Sequence, residues 1–175
     1  MSLANYLTLT RIIILPLFLF IFFSNYIHNE LAAGLVLILS SLTDFLDGYV
    51  ARKYNQTTKL GRLLDPLADK ITLIAIFIAF AVKDLLSLKI IIVILIREFI
   101  ILIGSIIMYF NHEDVINPSK IGKLATFLLY LSALIYIFNI KGLKMIIFLA
   151  LGLTIISGAH YFIKAFLYLA KNEEF

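Results

Sequence analysis

The chain has 175 residues, of which 62% are hydrophobic, 14% aromatic and 15% charged, with a mean hydropathy of +1.04. A soluble domain averages about 45–50% apolar and about 25% charged residues, and a fold this small exposes too much surface to hide the excess, so soluble nucleic-acid binders, disordered chains and disulfide scaffolds are excluded. The formal charge of +4 then belongs to loops facing anionic lipid, and the absence of cysteine removes thiol catalysis and Cys-ligated zinc.

A spanning helix needs about 20 mainly apolar residues. The opening nine residues, with Asn5 and Thr8 among apolar neighbours, predict a short helix lying in the membrane interface. The first apolar run, 12–27, is followed by no small-residue cleavage site and reads as a retained span, not a signal peptide. Further runs cover 31–47, 69–82, 85–110, 123–140 and 143–169; the third is short and borrows its start from the polar stretch 62–70. The expectation is all-α: a polytopic membrane protein of six transmembrane helices with a short N-terminal interfacial helix, one domain over residues 1–175.

Cation placement orients these runs. Arg11, Arg52, Lys53, Lys59, Arg62, Lys70, Lys120, Lys123, Lys164 and Lys171 fall on one side, and Lys83, Lys89, Lys141 and Lys144 on the other. The richer side is cytoplasmic by the positive-inside rule, with both termini there, as an even number of spans requires.

The stretch between the second and third runs carries the chemistry. Read as helical, Asp44, Asp47, Gly48 and Ala51 fall at i, i+3, i+4 and i+7, one face; Gly61, Asp65 and Asp69 fall at i, i+4 and i+8, again one face. Pro66 is tolerated in a first turn, or where neighbours satisfy the freed carbonyl. If the two faces oppose each other, four carboxylates converge and require a cation. Oxygen-only ligands favour Mg²⁺ or Mn²⁺, and four carboxylates exceed what one hydrated Mg²⁺ usually takes, which suggests two ions. Gly48, Ala51 and Gly61 leave room beside the acids, and with Arg52 the set describes a diphosphate site. The other reading of the aspartates is a solvated loop neutralised by Arg52, Arg62 and Lys70. A cation carrier would also use such acids, but it leaves the small residues and Arg52 unexplained, and no symmetry-related broken helices are found. A scaffold would not need this spacing.

The sequence Asp44-x2-Asp47-Gly48-x2-Ala51-Arg52-x8-Gly61-x3-Asp65-x3-Asp69 resembles, at eight fixed residues over 26 positions, the signature of the CDP-alcohol phosphotransferase family. The opening Asn5-Tyr6-Leu7-Thr8-Leu9-Thr10-Arg11 is similar to that family's N-terminal segment, and its six-helix plan agrees with the six runs. The stretches 55–61 and 64–70 resemble the branch that contains phosphatidylglycerophosphate synthases and the CDP-diacylglycerol-dependent cardiolipin synthases. The resemblance implies a phosphatidyltransferase of phospholipid biosynthesis that uses CDP-diacylglycerol and releases CMP. It implies metal ligation by Asp44, Asp47 and Asp65, with Asp69 as a further ligand or as the general base that takes the acceptor's proton. It implies that Asn5, Thr8, Asp44, Gly48, Ala51, Arg52 and Gly61 bind CDP-diacylglycerol. It also implies a homodimer, with its active site at the cytoplasmic face of the cell membrane.

Glycerol-3-phosphate is the first-choice acceptor and phosphatidylglycerol the alternative. Arg97-Glu98, in the fourth run, matches an Arg-Glu of phosphatidylglycerophosphate synthases and reads equally well as an ion pair within the bundle. The second Arg expected one to two turns later is absent from Leu102-Ile103-Gly104-Ser105. In Gly122-Lys123-Leu124-Ala125-Thr126, Ala125 replaces a second Lys. Arg11, Arg62, Arg97, Lys120 and Lys123 remain as candidates for the acceptor's phosphate. His28, His112 and His160 stand singly and read as interfacial or core side chains, and Gly152 and Gly158 as helix-packing positions.

Overall fold

Each apolar run folds as a helix. The computed structural model describes the backbone over residues 3–53, 59–110 and 119–172, and side chains over residues 13–42, 67–104, 106 and 119–159. Among the described residues the regular structure is helical throughout: α1 (Leu3–Phe23), α2 (Asn29–Lys53), α3 (Lys59–Val82), α4 (Leu88–Phe110), α5 (Lys120–Ile137) and α6 (Ile146–Asn172), with a 3-10 turn at Lys141–Leu143 before α6. Among the described residues, two segments, Lys120–Ile137 and Lys141–Ala159, are long and apolar enough to cross a membrane.

One expectation is corrected. The opening residues do not form a separate interfacial helix, because α1 runs unbroken from Leu3 to Phe23. No glycine lies between Asn5 and Ile12, and a nucleated helix adds apolar residues readily, while Pro16 removes a single backbone donor.

The helix ends have local causes. Asp84, just past α3, adopts a left-handed φ of 51°, and Leu85 N–H donates back to the Phe80 carbonyl at 3.0 Å. Asn139, past α5, does the same at φ 53°, with Ile140 N–H donating to the Ile135 carbonyl at 3.0 Å. Asp and Asn are the non-glycine residues that best tolerate this conformation, and both turns cap orphan carbonyls in the Schellman manner. Between α1 and α2, the Asn29 side-chain amide donates to the Ser24 carbonyl at 2.5 Å and covers the end of α1.

The chain divides into two compact units, Met1–Ala79 with Ile137–Asn139, and Phe80–Tyr136 with Ile140–Phe175. In the first unit α1 packs on α2. Phe18 and Phe22, one turn apart, are fully buried and stack with ring centroids 5.4 Å apart, and Ala33 and Leu37 form the buried stripe of α2. Gly34 lies against the ring of Phe138, which would collide with a Cβ there.

In the second unit α4 packs on α6. The polarity of both helices is inverted relative to a soluble bundle. On α4 the buried stripe is Ile91, Ile94, Arg97 and Glu98, whereas Ile92, Ile96, Phe99 and Ile103 are exposed. On α6 Thr154 and Ser157 are buried while Phe148, Leu149, Ile155 and Ile156 are exposed. Charges inside and large apolar side chains outside is the arrangement lipid favours, and water would penalise it.

Candidate active site

The eight motif residues all lie in helical backbone: Asp44, Asp47, Gly48, Ala51 and Arg52 in α2, and Gly61, Asp65 and Asp69 in α3. The helical backbone over both stretches is the one the spacing assumes. Pro66 lies inside α3, beyond its first turn. Asp69 is half-buried next to the buried Ala68. The Ala68 carbonyl accepts from Thr72 Oγ1 at 2.8 Å, which ties that hydroxyl into the helix one turn on.

The side chains of Asp44, Asp47, Gly48, Ala51, Arg52, Gly61, Arg62 and Asp65 lie outside the described residues, as do those of Asn5, Thr8 and Arg11. Among the described residues no group of three or more metal-ligating side chains comes together; of the four motif carboxylates only Asp69 belongs to that set. Four acids within α2 and α3, with no His or Cys among them, are a donor set that fits a hard, oxygen-bound divalent cation. His112 lies outside the described residues, and His28 sits exposed in the α1–α2 connection with φ of 69°.

A second polar site lies among the described residues. Arg97, 4% exposed, and Glu98, fully buried, are adjacent on α4. Arg97 Nη1 donates to Glu98 Oε1 and, at 3.3 Å, to Thr126 Oγ1 of α5. Arg97 Nη2 donates to the Gly122 carbonyl of α5 at 3.3 Å and to Ser157 Oγ of α6 at 3.4 Å. The aliphatic stem lies along Gly158, where a Cβ would meet Arg97 Cγ at 3.5 Å. Arg97 Nε and Thr154 Oγ1 are buried without a hydrogen-bond partner.

The start of α5 is built beside this guanidinium. Ser119 is its N-cap: its Oγ accepts from Gly122 N–H at 3.0 Å, and its carbonyl accepts from Lys123 N–H at 3.0 Å. Gly122 is buried, while Lys120 and Lys123 are exposed on either side of it. Thr126 Oγ1 donates to the Gly122 carbonyl at 3.1 Å, so that oxygen receives both the threonine and Arg97. Ala125, which stands in place of a second Lys, is fully buried.

The structure thus joins Arg97 to Glu98 and to the turn that carries Lys123. From the sequence alone Gly122 and Thr126 have no evident partner, and Thr154 and Ser157 do not stand out. The signal for those two was available: Thr154, Ser157 and Gly158 recur at i, i+3 and i+4 in an otherwise apolar helix, the pattern of a polar, closely packed helix face in lipid.

A sequence model of the CDP-alcohol phosphatidyltransferase family matches residues 1–156. A CDP-diacylglycerol–glycerol-3-phosphate 3-phosphatidyltransferase of Rickettsia typhi is 37% identical over 174 residues, covering 92% of this chain and 95% of its own. The protein of the same name from Bacillus subtilis is 31% identical, covering 93% and 94%. A CMP-forming cardiolipin synthase of Streptomyces coelicolor is 33% identical over 130 residues, covering 73% of this chain and 60% of its own.

Proposed function

The chain belongs to the CDP-alcohol phosphatidyltransferase family, and from that membership we propose that it moves the phosphatidyl group of CDP-diacylglycerol to glycerol-3-phosphate, giving phosphatidylglycerophosphate and CMP. The observation that carries the choice of acceptor is the near end-to-end likeness to relatives named for that reaction, against a shorter match to the cardiolipin synthase.

In the reaction a hydroxyl oxygen of glycerol-3-phosphate attacks the phosphorus that bears the diacylglycerol. A P–O bond forms there, the P–O bond to the cytidylyl phosphate breaks, and CMP leaves with the bridging oxygen. Asp44, Asp47 and Asp65 would hold one or two divalent ions, Mg²⁺ or Mn²⁺, with Asp69 beside them; when bound, the metal neutralises the diphosphate's charge. Asp69 accepts the proton of the attacking hydroxyl. Gly48, Ala51 and Gly61 give the nucleotide space, with Asn5 and Thr8 near it, and Arg52 meets the diphosphate. Arg11, Arg62, Arg97, Lys120 and Lys123 bind the acceptor's dianionic phosphate, an interaction cations at close range favour.

The protein acts as a six-span homodimer of the cell membrane with this site at the cytoplasmic face. Support comes from the cation bias of the loops, the inverted polarity of α4 and α6, and the two segments long enough to span. The test is CMP release by the purified protein in detergent from CDP-diacylglycerol and glycerol-3-phosphate. CMP should appear with Mg²⁺ or Mn²⁺ and cease with a chelator; chelator-resistant release overturns the metal assignment.

A further inference from the structure

We propose that the α3–α4 connection and the turn preceding α6 together form a docking surface for anionic phospholipid headgroups. Residues 83–89 and 139–145 contain four lysines, Lys83, Lys89, Lys141 and Lys144, against a single acid, Asp84. The two segments meet within the second unit through aromatic side chains. Phe80, in the last turn of α3, has its ring centroid 6.2 Å from that of Tyr136, near the end of α5. Lys144 Nζ lies 5.1 Å over the same Tyr136 ring, whose negative face attracts the ammonium. Both turns are pinned by their backbones: Leu85 N–H donates to the Phe80 carbonyl at 3.0 Å, and Leu143 N–H to the Ile140 carbonyl at 3.1 Å. Lys89 and Lys141 are exposed, and Lys83 and Lys144 half-buried.

Gathered cations repel one another, and one carboxylate cannot offset four ammoniums, so this surface favours anions. Lys89 lies in the first turn of α4, and neither α4 nor α6 begins with an acid, so nothing there tempers the lysines. Exposed Leu88, Leu143 and Met145 alternate with them, which sets apolar side chains beside ammoniums as at a headgroup–acyl boundary. A free phosphate would gain nothing from those apolar neighbours. Neither segment contains arginine, the residue that captures a single anion bidentately; lysine is a point charge, suited to the mobile phosphodiesters of a lipid surface. In the six-span topology proposed above this surface meets the leaflet opposite the chemistry, but lipid binding by it depends neither on that topology nor on the acceptor.

The purified protein in neutral detergent is titrated with phosphatidylglycerol, phosphatidylcholine or inorganic phosphate, and its thermal unfolding midpoint is read. Phosphatidylglycerol should raise the midpoint saturably, as a ligand of the folded state does, and the other two should leave it unchanged. One lysine near an anionic surface contributes about fivefold in affinity. Lys141→Gln with Lys144→Gln, and separately Lys83→Gln with Lys89→Gln, should therefore each weaken phosphatidylglycerol binding about twenty-five-fold. Lys141→Arg with Lys144→Arg should retain it. CMP release in detergent should be unchanged in every variant, which shows them folded; should one glutamine pair not fold, the other decides. No shift with phosphatidylglycerol, or an equal shift with phosphatidylcholine or phosphate, overturns the proposal. Binding undiminished in a folded glutamine pair also overturns it, and would place the lipid at the CDP-diacylglycerol site instead.

Discussion

A charge among apolar helices persists only with a partner, and Arg97 and Glu98 meet that condition side by side on α4. Breaking such a pair leaves a lone buried charge, which costs about 3–5 kcal/mol, whereas removing both members is often close to neutral. Arg97→Met alone should therefore lower the thermal unfolding midpoint in detergent steeply, and Arg97→Met with Glu98→Met should recover most of it. Additive losses would mean that the pair is not the unit. On the proposed reading the aspartates obey a different logic, as ligands of a divalent cation. Asp69→Asn should abolish turnover yet leave metal-dependent CDP-diacylglycerol binding measurable, whereas Asp44→Asn should lose that binding as well. Near wild-type turnover of Asp69→Asn would remove its role as base. The helices that carry the acidic motif were legible in the sequence, because a fixed period marks a helix over a short stretch. The partners of Arg97 were not, since Thr126 and Ser157 lie 29 and 60 positions along the chain and only packing brings them to it.

At the level of helices, composition set the number and approximate place of each element, and local chemistry moved the ends. α4 begins at Leu88 instead of 85 because the chain first turns through the left-handed Asp84. α2 and α3 take in the polar motif stretch up to Lys53 and from Lys59, well beyond their apolar runs. The separate N-terminal helix failed as an expectation because polarity suggests where a segment lies in the membrane, yet does not break a helix lacking glycine or a cap. A β-branched residue is poorly suited to positive φ, so Asp84→Val should destabilise the protein by about 1–2 kcal/mol while Asp84→Gly is tolerated. Equal unfolding midpoints for the two variants would show that this turn does not need the left-handed residue.

For the whole molecule, lipid as solvent explains why charge is inside and bulk is outside on α4 and α6. A six-span arrangement would place residues 52–59 and both termini on one side and the α3–α4 and α5–α6 connections on the other. The chain has no cysteine, so single introduced thiols report sidedness without background. Asp84→Cys and Lys141→Cys should react with an impermeant maleimide applied to intact cells, and Lys53→Cys and Lys164→Cys only after permeabilisation. Labelling of Lys53→Cys from outside would refute the topology.

The acceptor defines the reaction, and one competition assay identifies it. CDP-diacylglycerol and divalent metal are supplied with glycerol-3-phosphate and phosphatidylglycerol together, and CMP is compared with each lipid product. CMP matched by phosphatidylglycerophosphate is the expected result. CMP matched by cardiolipin, with glycerol-3-phosphate left unconsumed, would contradict the assignment.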